Sequence, residues 1–417
     1  MTDRIVIVGG GLAAARVARA FRDAGGEGPL TILSADTDPP YNRPPLSKGF
    51  LRGEIEAAGV FVEPEETYTE LGIDLRLGTE VTGVRPADRT VELTGGESLG
   101  YDRLVLASGS LPRALGTPGE TLEGVHTYRT LRDASAVRAA AESASSALVI
   151  GGGFIGMETT ASLRRRGLEV TQVDLADDLY ASLQAPPLSQ SLERLYRERG
   201  VEVILGDVVA EFRGSGGKLT GAVTKAGREI EAELAIVGVG VQPSTGYLEG
   251  SGVELEKGMV LVDERFATSV PGIWAVGDLA SFEDPIFGHR RVCQHWTNAN
   301  HQGDRLGRLL AGQNTPYDQV AFFFSEVFGT KIGLLGDLDG GHDELVMRGS
   351  LEVGALIGWY LRDDRLAAAL IVGQTPDVQN QLNALLRVQA RLVDRNALTD
   401  PEASPGEAFD ATSVTAS

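Results

Sequence analysis

The chain writes the same local pattern twice, and that repeat limits what it can fold into. Residues 5–14 read Ile5-Val6-Ile7-Val8-Gly9-Gly10-Gly11-Leu12-Ala13-Ala14, and residues 147–156 read Ala147-Leu148-Val149-Ile150-Gly151-Gly152-Gly153-Phe154-Ile155-Gly156. Each is a short apolar, β-branched run that enters a glycine turn and then a helix. The first glycine, Gly9 or Gly151, permits a tight turn out of the strand. The second, Gly11 or Gly153, lets the backbone approach a pyrophosphate, and the third position, Ala14 or Gly156, keeps helix and strand close. The phosphates then rest on the N–H groups and positive end of the helix. One such turn is a common corner, whereas two in one chain predict two dinucleotides. An acid for a ribose hydroxyl is expected about 20 residues further on. Asp36 follows the run Leu30-Thr31-Ile32-Leu33, and Asp174 ends the run Glu169-Val170-Thr171-Gln172-Val173.

Composition narrows the function classes. The chain has 417 residues, enough for two or three domains with ample core. Its single cysteine, Cys293, allows no internal disulfide and no redox-active dithiol. No apolar run approaches the ~18 residues of a membrane-spanning helix, and the chain enters a strand almost at once, with no room for a signal peptide. These points predict a soluble, cytoplasmic protein. The net charge of −20 opposes nucleic acid and anionic membranes as partners. The five histidines, His126, His289, His295, His301 and His342, lack metal-ligand spacing, so no metal site is expected.

The order of segments predicts an α/β fold with two Rossmann-like domains, the second inserted in the first, followed by a C-terminal α+β domain. The first domain is expected at 1–110 and 241–316, the second at 111–240 and the third at 317–400. In the third, strands are expected at Phe322–Val327, Glu344–Arg348, Ala355–Leu361 and Ala367–Val372, with a helix near Pro376–Val393. Residues 401–417 are rich in small and polar types, with little to bury, and are expected to be disordered. Two dinucleotides on one chain are best used by setting a nicotinamide against a flavin, since hydride transfer needs the rings in contact.

Further motifs connect the chain to a known family. Tyr41-Asn42-Arg43-Pro44-Pro45-Leu46-Ser47-Lys48, Leu106-Ala107-Ser108-Gly109, Gly277-Asp278 and Phe322-Phe323-Phe324-Ser325-Glu326 follow one another at its spacing. With them the chain resembles the FAD-dependent NAD(P)H ferredoxin reductases of oxygenase and P450 systems, which are close to the apoptosis-inducing-factor type. The resemblance covers roughly residues 4–400. It implies FAD on the first domain, NADH on the second, hydride transfer from NADH to flavin, and electron delivery to a ferredoxin-type iron–sulfur carrier. It implies FAD contacts from Gly9, Gly11, Ala13, Asp36, Arg43, Lys48, Val81, Ala107, Arg129, Asp278 and Trp296. It implies NAD contacts from Gly151, Gly153, Ile155, Gly156, Asp174 and Gly240. Lys48 matches a lysine beside the reactive edge of the flavin, and Glu158 matches the acid that pairs with it; these two are the expected catalytic residues.

Cofactor choice follows from charge. Asp174 can accept a ribose 2′-hydroxyl but repels a 2′-phosphate, and Ala176, Asp177 and Asp178 bring no arginine, which predicts NADH over NADPH. Residues 41–50 hold no cysteine, which excludes the thiol chemistry of disulfide reductases and peroxidases. Two departures motivate other readings. Phe324-Ser325-Glu326-Val327 stands where typical ferredoxin reductases have Trp-Ser-Asp-Gln, and Gln294-His295-Trp296 looks more like the apoptosis-factor side. An NADH-responsive interaction protein, an NADH oxidase or a quinone reductase are the alternatives. Either a monomer or a homodimer is compatible with the sequence. Arg290, Arg291, Arg305 and Arg308 are candidates for a basic patch facing an acidic carrier.

Overall fold

Ile5–Val8 is the middle strand of a five-stranded sheet, and all four of its residues are buried. The order across that sheet is Ile273–Ala275, Arg103–Leu106, Ile5–Val8, Leu30–Leu33, Ile73–Arg76. Every pairing in it is parallel. Parallel strands covered on both faces need unbroken apolar runs, and Ile5-Val6-Ile7-Val8 and Leu104-Val105-Leu106 supply them. The helix Leu12–Asp23 returns from the first strand and meets a second helix, Trp296–Leu310. Glycines set that meeting. A Cβ on Gly303 would lie 2.7 Å from the Ala13 carbonyl oxygen, and one on Gly307 would strike the Val17 carbonyl.

The second glycine motif builds the same plan again. Its sheet runs Val201–Ile204, Glu169–Val173, Ser146–Ile150, Leu234–Val237, Val125–Thr127, again all parallel. The helix Phe154–Arg165 follows Ser146–Ile150. A third, antiparallel sheet has the order Phe322–Val327, Thr330–Gly336, Arg365–Val372, Ala355–Arg362, Glu344–Ser350.

This computed structural model describes residues 2–314 and 316–411. The chain separates into two compact units. One holds Met1–Asn42, Val60–Leu111 and Gln242–Ala321; the other holds Arg43–Gly59, Pro112–Val241 and Phe322–Ser417. The second Rossmann-like half is inserted in the first, because the first sheet draws Ile273–Ala275 from beyond the insertion. Within the second unit, the inserted half and the antiparallel sheet share one core. Met157, Leu179, Tyr180 and Tyr196 from the former pack with Val327, Ile332, Tyr360 and Leu370 from the latter.

The C-terminal region differs from expectation in three ways. Thr330–Gly336 is a further strand, central and largely buried, joined to Phe322–Val327 by Phe328 and Gly329. Both turn residues have positive φ, 50° and 87°, the geometry that closes a two-residue hairpin. The helix that starts at Pro376 stops at Arg387, not near Val393. Residues 401–411 are folded, in contrast to the expected disorder. Ser404 and Glu407 form a capping box, Pro405–Ala408 is helical, and Phe409 is buried where Phe409–Asp410 pairs with Arg391–Leu392. Residues 412–417, also expected to be disordered, lie outside the described residues.

Candidate active site

Both glycine turns have the same geometry. Gly9 has φ 117° and Gly151 has φ 115°, values that favour glycine. A Cβ on Gly9 would strike the Ala107 carbonyl, and one on Gly151 the Gly238 carbonyl. Gly156 lies so close to the Gly151 carbonyl that no Cβ fits there either. The helices beyond begin at Gly11 and Gly153, neither of which offers a side-chain cap, and neither first turn carries an acid. Neither N-cap glycine supplies a side-chain cap to the first N–H groups of its helix, which are the donor set a pyrophosphate uses. Gly153 has open space where its Cβ would be.

In each unit several of the expected residues follow the carboxyl ends of parallel strands, where ligands of α/β sheets bind. In the first unit, Gly9 follows Val8, Ala107 follows Leu106, and Gly277-Asp278 follow the strand Ile273–Ala275. Ala13 touches the last of these turns, since a Cβ on Gly277 would sit 3.1 Å from its methyl. Asp278 accepts a hydrogen bond from Ser110 Oγ at 3.0 Å. Trp296 opens the helix Trp296–Leu310, and its indole Nε1 donates to Asn42 Oδ1 at 2.8 Å. Val81 is buried at the start of the strand Val81–Arg85.

Gln302 belongs with these residues, although sequence reasoning missed it. Its Oε1 accepts the Gly277 N–H at 2.8 Å, which fixes the orientation of the amide. Its Nε2 is fully buried and has no protein partner among the described residues. A buried donor of this kind is satisfied by water or by a ligand oxygen. With the glycine cradle, it fits a bound dinucleotide.

The two copies differ at the ribose-binding position. Asp174 directly follows the strand Glu169–Val173; its carboxylate accepts the Gly152 N–H, and the Ala176 N–H at 2.7 Å. In the first copy the residue directly after the strand is Ser34, whose hydroxyl occupies the space a Cβ on Gly10 would need. Ser34, not Asp36, is thus the counterpart of Asp174. Asp36 lies two residues further on, and its carboxylate accepts the Tyr41 hydroxyl at 2.9 Å and the Asp38 N–H at 3.2 Å.

In the second unit, Arg43 Nε donates to the Arg129 carbonyl at 3.3 Å. Gly240 follows the strand Leu234–Val237, has φ 97°, and accepts the Arg113 N–H at 3.0 Å. Ile155 lies on the first turn of the helix Phe154–Arg165 and is exposed. Lys48 sits in a kinked helical turn, Leu46–Phe50, at φ −120° and ψ −109°. Its Nζ lies 2.6 Å from Glu158 Oε2, and Glu158 is only 4% exposed. Ser47 Oγ also donates to Glu158 Oε2, and Ser325 Oγ donates to Oε1 at 2.7 Å. Tyr180 OH is 2.7 Å from Ser325 Oγ. Burial, and next the Glu158 charge, push the Tyr180 phenol well above its ordinary pKa. The backbone around the lysine is pinned as well, by Ser162 Oγ on the Ser47 carbonyl at 2.6 Å and Tyr128 OH on the Leu46 carbonyl at 2.7 Å.

Residues 3–303 match the family model described as pyridine nucleotide-disulphide oxidoreductase. The chain belongs to that family. Residues 322–406 match a second model, the reductase C-terminal domain. Among relatives, the probable ferredoxin reductase CtmF of Castellaniella defragrans is 33% identical, over 96% of this chain and 97% of its own length. The benzene 1,2-dioxygenase system ferredoxin–NAD(+) reductase subunit of Pseudomonas putida is 32% identical, over 96% and 95%. The putidaredoxin reductase in its covalent complex with putidaredoxin superposes with a TM-score of 0.92, at 31% identity and 97% coverage of both chains. The chain is an oxidoreductase of this family that uses FAD and NAD(P)H.

Against the family's description, this member has no cysteine in residues 41–50, and its one cysteine, Cys293, is buried. Of the four arginines suggested for a basic patch, three are ion-paired within the protein and the fourth is buried. Arg290 bonds Glu283 at 2.6 Å, Arg291 forms a buried pair with Asp284 at 2.9 Å and Arg308 bonds Asp304 at 2.8 Å, while Arg305 is buried with only its Nη2 reaching Asn314, at 3.3 Å. Among the described residues no helix is long and apolar enough to cross a membrane.

Proposed function

We propose that this protein is an NADH-dependent ferredoxin reductase of an oxygenase or P450 system, working in the cytoplasm. The observation that carries the reading is the pair of uncapped glycine-turn helices, one in each unit, with Lys48 paired to the buried Glu158 and no cysteine in residues 41–50. Bound FAD would supply the chemistry that links two-electron hydride oxidation of NADH to one-electron reduction of an iron–sulfur carrier.

The chain's own residues bind, orient and select. Gly9, Gly11 and Ala13 admit the FAD pyrophosphate to the first helix, with Gln302 Nε2 as a further donor. Asp278 accepts hydrogen bonds from ribityl hydroxyls, and Asp36, Arg43, Val81, Ala107, Arg129 and Trp296 complete the FAD contacts. Gly151, Gly153, Ile155, Gly156 and Gly240 admit NADH to the second. Asp174 accepts the adenosine ribose 2′-hydroxyl, and with Asp177 and Asp178 it opposes a 2′-phosphate. Lys48, held by Glu158, supplies a fixed cation where negative charge develops in the reaction.

Anaerobic stopped-flow reduction of the purified yellow protein tests this reading. Bleaching by NADH at ~1–10³ per second, well ahead of NADPH, is the expected result. Bleaching orders of magnitude slower would favour a sensing protein of the apoptosis-inducing-factor type. Rapid peroxide production without any carrier would favour an oxidase, and a colourless protein unable to take up FAD would end both the main reading and these alternatives.

A further inference from the structure

Glu158 receives three donors inside the protein, and one of them comes from the C-terminal sheet. Ser325 lies on Phe322–Val327, within the segment matched by the reductase C-terminal model, whereas Lys48 and Glu158 lie within the other model's span. Alternate residues of a strand share a face. Phe323, Ser325 and Val327 share one, and Phe323 and Val327 belong to the apolar core that also contains Tyr180. Ser325 is thus a hydroxyl between two apolar neighbours, 2% exposed. Packing alone does not favour a hydroxyl there, since a buried polar group costs free energy unless it is hydrogen-bonded.

Its bonds have a fixed sense. Ser325 has one proton and gives it to Glu158 Oε1 at 2.7 Å. The 2.7 Å contact with Tyr180 is therefore donated by the Tyr180 hydroxyl. Tyr180 is held for this in a backbone conformation rare for a bulky residue, φ 51° and ψ 40°. Its N–H is tied to the Gly152 carbonyl at 2.8 Å, and its ring meets Phe154 edge-on at 5.2 Å.

We propose that Ser325 and Tyr180 are positioning residues for Lys48. Tyr180 orients Ser325, Ser325 holds Glu158 Oε1, and Glu158 is thereby turned so that Oε2 fixes the Lys48 ammonium. The C-terminal sheet thus supplies a working part of the reductive site. The catalytic meaning of this clamp rests on the role given to Lys48 under Proposed function; the clamp itself does not.

The experiment uses the FAD-loaded full chain and its Ser325→Ala, Ser325→Thr, Tyr180→Phe and Lys48→Met variants. The first readout is the acylation rate of Lys48 by a water-soluble active ester, followed by peptide mass spectrometry with exposed Lys257 as internal control. Loss of one charge-assisted hydrogen bond in Ser325→Ala should raise Lys48 labelling by about tenfold, with Lys257 unchanged. Ser325→Thr, which keeps the hydroxyl, should restore it to within about twofold of the parent, and Tyr180→Phe should raise it less than Ser325→Ala does. Unchanged Lys48 labelling in Ser325→Ala overturns the clamp. If that variant does not fold, the same result in Tyr180→Phe overturns it. The second readout is the midpoint potential of bound FAD and its rate of reduction by NADH. Both should shift in Ser325→Ala, with no further shift when Lys48→Met is already present. If labelling responds but Lys48→Met leaves potential and rate unchanged, the clamp stands and the role given to Lys48 falls.

Discussion

Asp174 already accepts two backbone N–H groups, from Gly152 and Ala176, and so holds the glycine turn in shape at the carboxyl end of its strand. Asp174→Asn keeps an acceptor for the turn and removes the charge that opposes a 2′-phosphate. The ratio of kcat/KM for NADPH over NADH should rise by about tenfold, with the FAD content of the purified protein unchanged. Steady-state kinetics with both nucleotides checks this. The place of Asp174 at the end of its strand was legible from sequence because the acid comes directly after an apolar run. Its counterpart was not, since counting about 20 residues from a glycine turn does not show where a strand ends. The strand ends at Leu33, and the position passes to Ser34. Lys48 and Glu158, more than a hundred residues apart, were visible only through family resemblance. Ser325 stood inside a family motif with no role attached and Tyr180 carried no signal, because a serine in a strand and a tyrosine after a loop are ordinary until folding brings them together.

At the scale of elements, the crossing of Leu12–Asp23 with Trp296–Leu310 ties the first glycine turn to the helix that carries Trp296 and Gln302. Gly303 and Gly307 set the approach. Gly307→Leu would drive a side chain into the Val17 carbonyl and force the helices apart, at a cost of about 1–3 kcal/mol or more. The expected outcome is a lower thermal midpoint and partial loss of bound FAD, read by calorimetry and by the absorbance ratio of flavin to protein. The parallel strands were readable because double burial demands unbroken apolar runs. Thr330–Gly336 escaped notice because Thr330, Lys331 and two glycines interrupt its apolar character. Phe328-Gly329 between two such runs was the available hairpin signal. The fold of 401–411 was hidden for a related reason: one capping box and one buried Phe409 order a segment whose composition is otherwise that of a tail.

For the whole molecule, a net charge of −20 meets four candidate arginines of which three are ion-paired within the protein and one is buried. A strongly acidic carrier should therefore be repelled at long range. Its rate of reduction should rise with added salt as the Debye length falls from ~30 Å at 0.01 M to ~8 Å at 0.15 M. Carrier-limited turnover measured across that range is the check, and a steep fall would reveal an attractive docking face elsewhere on the surface. One feature of the fold also bears on redesign. The strand carrying Ser325 is both the leading edge of the C-terminal sheet and a brace for Glu158. Anyone exchanging that sheet to re-address the enzyme to a foreign carrier would cut through the hydrogen bonds that aim Lys48. A working chimera should therefore inherit its serine and its tyrosine from the same parent.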